Sequence, residues 1–468
     1  MVEQTQMTHA SSQRLATKQA DVVLTGRFLP SDERHYALVP FRVPEGVRQI
    51  HFRCDYNQRI DSDPLLQGGN TLDIGLFDER GVEPGSPGFR GWSGSERLEI
   101  TIDEAWATPP YRAGAIGAGT WHVLLGPYKV GPAGLDYRIE IWFNPGLSPD
   151  LPTLEIQTPR PASVPPAAEP GWVRGELHCH SLYSDGDSWP EEIAVAAAEA
   201  GLSFLAVTDH NGAVRSRWNP APGLPVMIPG IEVTTYGGHW NVWGVDGWFD
   251  FREPNPEAIA AEMRRASAAG GLVSINHPRP YGPAWQYGDQ APVHAIEVWN
   301  GHWHRLNETS LRYWEQRLRR GERLIAVGGS DAHVLRPQSR DPLPPSRIGT
   351  PTVWVRIDGD PSAERILAGL RQGRAFISEQ PEGPQLYFEA EGEALRVHVV
   401  GAQGSALVLL SQDGCIAATA IDRDDWTWHA RFPETAFYVR AQVVSGDGTI
   451  RALSNPIWRP VEQALGRR

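Results

Sequence analysis

Cysteine is scarce in this sequence: its 468 residues include three, Cys54, Cys179 and Cys415, and they lie far apart. An odd number of widely spaced cysteines is not typical of a disulfide framework, so we expect a reducing environment and a cytoplasmic location. Runs of about 18 apolar residues, which a membrane-spanning helix needs, are also absent. The N-terminus has no basic segment followed by an apolar one, so the sequence predicts neither a secretion signal nor a membrane span.

Positive charge is in deficit, with 43 lysines and arginines against 56 aspartates and glutamates and a formal net charge of -13. Such a surface repels the phosphate backbone of DNA or RNA, because that binding depends on basic side chains that release counterions. The short basic run at 317–320 is more simply a solvated helix end. Nucleic acid is therefore an unlikely partner, and nothing in the sequence bears on the oligomeric state.

The sequence does have enough apolar residues, 41% of the total, to build more than one core. A chain of this length is expected to form two or three domains. Alternating polar and apolar residues over 20–144 predict an N-terminal β-sandwich, and the same pattern predicts a small C-terminal β-sandwich over 384–460. The proline-rich segment 145–171 is typical of a linker, because proline disfavours helices and central strands.

Between these segments, residues 172–378 alternate strand-like and helix-like stretches, which favours βα units around a parallel sheet or barrel. Ser188 and Asn255 are placed to cap helices that start at Pro190 and Pro256. The apolar strand candidates are 173–178, 203–208, 226–233, 239–245, 272–276, 294–299 and 323–328. About seven strands in this order predict a barrel.

Histidines and carboxylates follow these strand candidates at their ends, where barrel enzymes place catalytic groups. They are His178, His180, Asp185, Asp209, His210, Glu232, His239, His277, Asp331 and His333. His178 and His180 are two residues apart in an extended segment, so both imidazoles face the same side and one metal can bind both. Asp331 and His333 repeat that spacing. Imidazole and carboxylate ligands together suit zinc, manganese or iron, and Glu232 can bridge two such ions that share a hydroxide nucleophile.

A single histidine pair of this kind is weak evidence, because most histidines are packed or surface residues. The whole set is stronger evidence. Burying so many ionisable groups without a metal would leave charges that are costly to satisfy. The sequence therefore predicts a metal centre between His178 and His333.

Five short motifs occur in order in this region: His178-Cys179-His180, Thr208-Asp209-His210, Gly230-Ile231-Glu232, His277-Pro278 and Ser330-Asp331-Ala332-His333. Together they resemble the signature of the PHP (polymerase and histidinol phosphatase) superfamily, over about residues 172–378. The sequences at 297–301 and 328–331 look closest to the branch named after carbaryl hydrolase. The resemblance implies a distorted (β/α)7 barrel that holds two to three divalent metal ions.

The resemblance also implies how the ligands divide between the metals. The first ion would be held by His178, His180, Glu232 and Asp331, the second by Glu232, His239 and His277, and the third by Asp185, His210 and His333. Asp185 stands where some relatives have histidine. Asp209 and Glu297 would orient the ligand imidazoles from behind.

Relatives in this superfamily mostly hydrolyse phosphate esters. The first hypothesis is therefore a metal-dependent phosphoesterase in which a metal-bridging hydroxide attacks a small-molecule ester. His210, Asp209 or His333 would protonate the leaving group. Arg279 and Arg305 lie near the motifs and would hold a phosphate oxygen, although an exposed arginine is the commoner interpretation.

Two alternatives remain open at this point. In the first, the same metal site cleaves a carbamate or carboxyl ester, and tryptophans near the motifs line an apolar pocket rather than the core. These tryptophans are Trp240, Trp243, Trp285, Trp299 and Trp303. In the second, the barrel is degenerate and the chain acts as a binding module through its β-sandwiches, although the intact ligand set argues against this.

Overall fold

The computed structural model describes residues 18–63, 65–149, 158–160, 163–212, 222–253, 255–280, 283–335 and 346–460. Strands dominate these ranges, which contain four α-helices. None of the helices in the described ranges is long and apolar enough to cross a membrane. Parts of the segment 145–171, predicted to be a linker, lie outside the described residues.

The N-terminal part is a sandwich of two antiparallel sheets. Its strands are β1 (Val22–Phe28), β2 (Ala37–Val43), β3 (Gln49–Tyr56), β4 (Thr71–Phe77), β5 (Phe89–Gly94), β6 (Glu99–Asp103), β7 (Gly119–Lys129) and β8 (Leu135–Phe143), with a 3-10 turn at Pro30–Asp32. The sheet orders are β1-β8-β3-β6 and β2-β7-β4-β5. Phe52, Ile74, Trp121 and Ile139 pack between the sheets, because the alternation along each strand turns its apolar side chains inward.

The central part mixes strands and helices. Its elements are β9 (Trp172–Glu176), α1 (Pro190–Glu199), β10 (Phe204–Leu205), β11 (Val226–Met227), β12 (Gly230–Thr235), β13 (Gly238–Trp243), α2 (Pro256–Ala268), β14 (Leu272–Ile275), β15 (Ala295–Asn300), α3 (Asn307–Arg319), β16 (Ile325–Gly329), β17 (Thr352–Arg356), α4 (Ala363–Arg371) and β18 (Ala375–Ser378). They form two sheets, one with the order β11-β10-β9-β17-β18 and the other with the order β12-β13-β14-β15-β16. Both sheets mix parallel and antiparallel pairs.

The described strands do not join into one closed barrel sheet, so the expected (β/α)7 barrel is not observed as such. The two sheets instead meet near the strand ends through two isolated parallel bridges, Cys179–Ala332 and His210–Glu232. The strand candidate 226–233 is divided between the sheets, because Pro229 has no N–H to donate and separates β11 from β12. The multidomain, β-rich architecture that the sequence predicts is confirmed.

The helix caps agree with the sequence at one of two positions. The side chain of Asn255 accepts a hydrogen bond from the backbone N–H of Ala258 and caps α2, as predicted. The prediction for Ser188 is wrong, because its hydroxyl donates to Asp187 and the residue that precedes α1 is Trp189. The Ser188 hydroxyl donates to a carboxylate and does not accept a helix N–H, because a hydrogen bond to an ionised acceptor is stronger than one between neutral groups.

The C-terminal part shares a sheet with the central part. Its strands are β19 (Gln385–Glu391), β20 (Ala394–Val400), β21 (Ala406–Ser411), β22 (Gly414–Ala420), β23 (Asp425–Arg431), β24 (Tyr438–Val444), β25 (Ile450–Ser454) and β26 (Ile457–Trp458). The strands β19, β20 and β23 form a three-stranded sheet. The second layer contains β25, β24, β21 and β22 and continues directly from β18, which pairs with β25. The two layers enclose their own core, with Val397, Leu409 and Val443 among its residues.

The N-terminal sandwich packs against the central part through an aromatic cluster. Phe77 and Phe89 of the sandwich share a buried core with Trp248 and Phe251. The indole N–H of Trp248 donates to the carbonyl of Ser86 at 2.8 Å. This contact joins the loop between β4 and β5 to the segment that follows β13.

Candidate metal centre

The ten histidines and carboxylates predicted from the sequence lie where central strands end or pair. His178 and His180 follow β9, while Asp331 and His333 follow β16. The bridge between Cys179 and Ala332 joins these two segments side by side. The other predicted residues lie in β12 (Glu232), in β13 (His239), after β14 (His277), after β10 (Asp209 and His210) and in the turn after His180 (Asp185).

Glu232 lies at the centre of the cluster, and its side chain is buried. Five imidazoles surround its carboxylate. Oε1 lies 3.4 Å from Nε2 of His178, 3.2 Å from Nδ1 of His239 and 3.3 Å from Nε2 of His277, while Oε2 lies 2.9 Å from Nδ1 of His210 and 3.5 Å from Nε2 of His180. One carboxylate cannot form hydrogen bonds with five imidazoles at once, so the arrangement suits a carboxylate that bridges metal ions.

Asp331 faces the two histidines of the first motif. Its Oδ1 lies 3.4 Å from Nε2 of His178 and 3.1 Å from Nε2 of His180. The two imidazoles therefore converge on one oxygen, as the alternation of the extended segment predicts. Asp331 adopts a positive φ of 52°, and His277 adopts one of 27°. Strained backbone at two residues of one cluster is typical of functional sites.

Asp185 marks the outer end of the cluster. Its Oδ1 lies 3.5 Å from Nε2 of His210 and 3.3 Å from Nε2 of His333. Its side chain is 31% exposed, whereas that of Glu232 is 1% exposed, so the two carboxylates lie at different depths. A ligand from solvent would meet Asp185 and His333 before it met Glu232.

Within the described residues, four overlapping groups have ligand atoms that all lie within 4.8 Å of one another. They are His180, Asp185, His210 and His333; His178, His180 and Glu232; His178, His277 and Asp331; and His210, Glu232 and His239. Each of the nine residues predicted as metal ligands belongs to at least one group. The groups divide the ligands differently from the three sets that the family resemblance implies, because His277 lies with Asp331 in one of them.

Several buried polar atoms at the centre make no hydrogen bond of good geometry within the described part of the chain. They include Nε2 of His178, Nε2 of His180 and Oε2 of Glu232. Leaving such atoms unsatisfied in the interior is costly, and a divalent ion among them would remove that cost. Imidazole nitrogen with carboxylate oxygen is also the donor set that zinc, manganese and iron accept. The residues present therefore fit a metal centre.

The electrostatics keep Glu232, Asp331 and His180 in the protonation states that metals need. Burial raises the pKa of Glu232, but the surrounding imidazoles, His178 first, outweigh burial and hold the pKa well below its usual range. The same balance lowers the pKa of Asp331. Burial, followed by the nearby charges of His333 and His210, lowers the pKa of His180 to about 3. The carboxylates are thus ionised and the His180 imidazole is neutral near pH 7. Burial lowers the pKa of His178, His210 and His333, but neighbouring carboxylates outweigh burial and raise the pKa of all three, so a metal must displace their protons.

Glu297 and Asp209 support the cluster in different ways. Oε1 of Glu297 lies 2.8 Å from Nδ1 of His178, and its Oε2 accepts the backbone N–H of His277 at 3.1 Å. Asp209 accepts hydrogen bonds from the N–H and hydroxyl of Ser181, both at 2.7 Å, and from the hydroxyl of Ser184 at 2.8 Å. Glu297 orients the His178 imidazole and the backbone of His277, and Asp209 fixes the turn that carries His180 and Asp185.

The two arginines of the phosphate hypothesis have protein hydrogen-bond partners near the cluster. Arg279 is buried, and its guanidinium donates to the side chains of Asn300 at 2.7 Å and Asn307 at 2.6 Å. Arg305 donates to the hydroxyl of Ser346 at 2.9 Å. The contacts of Arg279 connect the segment after β14 with the end of β15 and the start of α3.

Glu176 is a functional residue that the sequence analysis missed. It is fully buried, and Oε1 accepts the backbone N–H groups of Leu177 at 3.0 Å, His178 at 2.9 Å and Ser330 at 3.0 Å. Its Oε2 accepts the N–H of Gly349 at 2.9 Å. One carboxylate thus orients the backbone of both ligand segments. An acidic residue inside a buried strand, two positions before a ligand, is the signal that could have revealed it.

The tryptophans near the motifs belong mostly to the core. Trp240, Trp243, Trp299 and Trp303 are buried, whereas Trp285 is partly exposed. The indole N–H of Trp243 donates to the carbonyl of Leu177 at 2.9 Å, so it packs behind the first ligand motif. The core interpretation is therefore confirmed for four of the five.

Comparison with known proteins gives short or partial matches. No protein-family model matches the chain. An error-prone DNA polymerase of Cutibacterium acnes is 62% identical over 39 residues, which is 8% of this chain and 3% of the polymerase. A 5'-3' exoribonuclease Rnm of Salmonella typhimurium is 28% identical over 138 residues, which is 28% of this chain and 47% of the exoribonuclease. The chain thus spans less than half the length of these curated relatives.

Solved structures also match this chain, among them two whose descriptions name hydrolases. A two-domain protein from Bacteroides vulgatus, described as containing a predicted PHP-like metal-dependent phosphoesterase, aligns with 19% identity and a TM-score of 0.37 over 64% of this chain and 99% of that one. An amidohydrolase from Chromobacterium violaceum aligns with 18% identity and a TM-score of 0.26 over 44% of this chain and 97% of that one. Both descriptions name hydrolases, but with TM-scores this low the likenesses say nothing further about the chain's activity.

Proposed function

We propose that this protein is a metal-dependent hydrolase of phosphate esters with a small-molecule substrate. The observation that carries the proposal is Glu232, a buried carboxylate surrounded by five imidazoles, with Asp331 and Asp185 on either side of the cluster. A cluster of this composition can hold two or three divalent ions close together. Adjacent ions are suited to hydrolysis, because together they neutralise the attacking and leaving oxygens of a phosphoryl group.

Four overlapping groups supply the ligands in this proposal, and Glu232 links two of them. Zinc, manganese or iron bound here would lower the pKa of a coordinated water and neutralise charge on the phosphate. Glu297 would keep the His178 imidazole oriented through Nδ1, which leaves Nε2 for the ion. The two sheets of the central part, which meet at the cluster, would be the halves of an opened, distorted (β/α)7 barrel.

His333 is the residue best placed to protonate a leaving group. Asp209 is held by Ser181 and Ser184, and His210 has a side chain that is 13% exposed, whereas that of His333 is 32% exposed. Nε2 of His333 can bind a metal or donate a proton, but it cannot do both at once. We therefore expect His333 to act as the acid in a protein with two bound metals and as a ligand in a protein with three.

The exoribonuclease of Salmonella typhimurium supports phosphorus as the target, since its name denotes cleavage of phosphodiesters. The match covers only part of either chain, and the acidic composition of this protein favours a small ester over a nucleic acid. Cleavage of a carbamate or carboxyl ester, which the sequence context at 297–301 suggests, would use the same ligands. The experiment below separates the two.

The experiment measures metal content and activity together. Protein purified without chelator would be analysed by plasma mass spectrometry and assayed with 4-nitrophenyl phosphate, bis(4-nitrophenyl) phosphate, 1-naphthyl acetate and a 1-naphthyl carbamate. The variants are His178→Ala and Asp331→Ala, and His429→Ala is the matched control because His429 is exposed in β23.

The proposal predicts two or three equivalents of zinc, manganese or iron, with phosphate esters hydrolysed faster than the naphthyl esters. Both variants should lose metal and activity, and the control should lose neither. A preference for the naphthyl esters would replace phosphoester with carbonyl chemistry. A protein that binds no metal and hydrolyses none of the four would refute an enzyme role and favour the binding-module alternative.

A further inference from the structure

The turn between β5 and β6 of the N-terminal sandwich reaches the metal cluster. Arg97, in this turn, donates from its guanidinium to the backbone carbonyl of Ser184 at 2.7 Å. Ser184 precedes the candidate ligand Asp185, and its hydroxyl donates to Asp209 at 2.8 Å. A residue of the N-terminal sandwich therefore contacts the segment that carries part of the cluster.

The Arg97 side chain is partly buried, yet its guanidinium has few hydrogen-bond partners among the described residues. Among the described residues it takes part in one hydrogen bond and in no ion pair, although it carries five N–H donors. Burial lowers the pKa of Arg97, and the charges of Glu96, Asp185 and Asp209 oppose that shift without pairing with it. Arginine nevertheless stays protonated at neutral pH, so a cationic fork with spare donors lies beside the cluster.

Arg90, in the neighbouring strand, shows how a structural arginine differs. It is buried, and it donates to Asp78 at 2.7 Å and to the carbonyl of Arg112 at 3.2 Å. These partners satisfy its charge inside the sandwich. Arg97 has no such carboxylate partner in the described part of the chain, which leaves its charge available to a ligand.

The backbone at Arg97 is held in place. Its carbonyl accepts the hydroxyl of Ser93 at 2.8 Å, and the carbonyl of the next residue, Leu98, accepts the N–H of Cys54 at 2.8 Å. The Ser93 hydroxyl also lies 3.0 Å from the hydroxyl of Tyr111 in the sandwich core. A side chain on a fixed turn loses less entropy when it binds a ligand, so the position is preorganised for recognition.

We propose that Arg97 binds a non-bridging oxygen of the substrate's phosphate group, so that the N-terminal sandwich forms part of the active site. The proposal rests on the phosphoesterase function proposed above and names a substrate-binding residue outside the central part. A guanidinium matches a phosphate because two parallel N–H groups can donate to two of its oxygens. Glu96, in the same turn, is exposed, and its negative charge repels an approaching anion. The positive charge of Arg97 is needed to offset that repulsion.

The experiment measures binding of inorganic phosphate to the metal-loaded full-length protein by isothermal titration calorimetry. The variants are Arg97→Gln, which removes the charge, and Arg97→Lys, which keeps the charge but loses the fork. Arg48→Gln is the matched control, because the Arg48 side chain is 80% exposed in the same sandwich. Metal content of each protein is measured in the same samples.

Arg97→Gln should weaken phosphate binding roughly tenfold to a hundredfold with unchanged metal content, since a charge-assisted contact is lost. Arg97→Lys should bind with intermediate affinity, and Arg48→Gln should match the unmodified protein. If Arg97→Gln binds phosphate as tightly as the unmodified protein, the proposal is wrong and the phosphoesterase function stands. If Arg97→Gln loses metal, Arg97 positions the Asp185 turn instead of binding substrate, which also overturns the proposal.

Failure of the proposed function would look different. An unmodified protein that holds its metals but neither binds phosphate nor hydrolyses phosphate esters would overturn both proposals. An unmodified protein that hydrolyses phosphate esters, with Arg97→Gln unchanged in phosphate binding, would overturn only the assignment of Arg97.

Discussion

At the scale of single residues, Glu232 is the group on which the cluster depends. Its two oxygens face five imidazoles, so its negative charge holds together side chains from β13 and from the segments that follow β9, β10 and β14. The amide of Asn276 donates to Oε1 at 2.7 Å and orients the carboxylate. No other carboxylate in the four metal groups has as many imidazole neighbours.

Replacing Glu232 by glutamine tests this role with almost no change in shape. Glu232→Gln removes the charge and one acceptor oxygen, so we expect loss of metal and a fall in ester hydrolysis of at least about a hundredfold. The measurement is metal content with kcat/KM for 4-nitrophenyl phosphate. The control is Glu391→Gln, which changes an exposed glutamate at the end of β19 and should alter neither. Full activity with full metal content in Glu232→Gln would contradict the account.

The sequence predicted the residues of the cluster and, through the family resemblance, Asp209 and Glu297 behind them, but it did not predict Glu176. The ligands could be predicted because an imidazole or carboxylate at a strand end has a recognisable type and spacing. Glu176 could not, because its role depends on backbone N–H groups of Ser330 and Gly349, which lie more than 150 positions away in the chain. Arg279 was predicted to contact phosphate from its position near a motif, and nothing in the sequence indicated its hydrogen bonds to the side chains of Asn300 and Asn307.

At the scale of elements, β16 and the segment after β9 pack closely together beside the cluster. Gly329 ends β16, and a Cβ atom there would lie 2.3 Å from Cβ of His178 and 3.0 Å from Oε1 of Glu297. The sheet ends can approach this closely because position 329 has no side chain. The amino-acid pattern predicted most central strands, but β17 and β18 were missed and the division at Pro229 was not foreseen.

The substitution Gly329→Ala tests this packing. The added methyl group must displace His178 or Glu297, so we expect a destabilisation of about 1–3 kcal/mol and weaker metal binding. The measurement is urea unfolding with and without added manganese. Gly446→Ala is the control, because no atom lies within 4 Å of a Cβ at that position. Equal effects of the two substitutions would show that the close contact is unimportant.

At the scale of the whole molecule, neither flanking part is separate from the centre. The C-terminal part extends a central sheet through β18 and β25. The N-terminal sandwich contacts the centre through Tyr236, whose hydroxyl donates to Asp73 of β4 at 2.8 Å. Tyr236 also stacks on Tyr36 of the sandwich, with ring centroids 4.9 Å apart. The alternation of polar and apolar residues predicts the β-sandwiches but not which of their outer surfaces pack against the central part. These interfaces could therefore not be predicted from the sequence.

Asp73 makes the N-terminal interface sensitive to pH. Burial, which the charge of Glu96 reinforces, raises the pKa of Asp73 to about 7, although the Tyr236 hydrogen bond opposes the shift. A carboxyl whose pKa is higher in the folded state holds its proton there longer than in the unfolded state. The free energy of unfolding should therefore fall as pH rises from about 4 to about 7, by up to about 4 kcal/mol.

Asp73→Asn removes that titration and keeps the shape of the side chain. We expect the variant to be more stable than the unmodified protein at pH 8 and to lose most of this advantage at pH 5. The measurement is urea unfolding of metal-free protein at both pH values. Asp55→Asn, at an exposed position in β3, is the control and should show no such difference. A constant difference between Asp73→Asn and the unmodified protein at both pH values would contradict this assignment.

The proposed hydrolytic centre requires the Glu232 carboxylate to bridge two metal ions. The most direct test is an anomalous difference map from crystals of the full-length protein grown with manganese or zinc. We expect two or three anomalous peaks within the cluster, two of them in contact with the Glu232 carboxylate. A map from metal-soaked crystals with no peak beside Glu232 would contradict this bridging role.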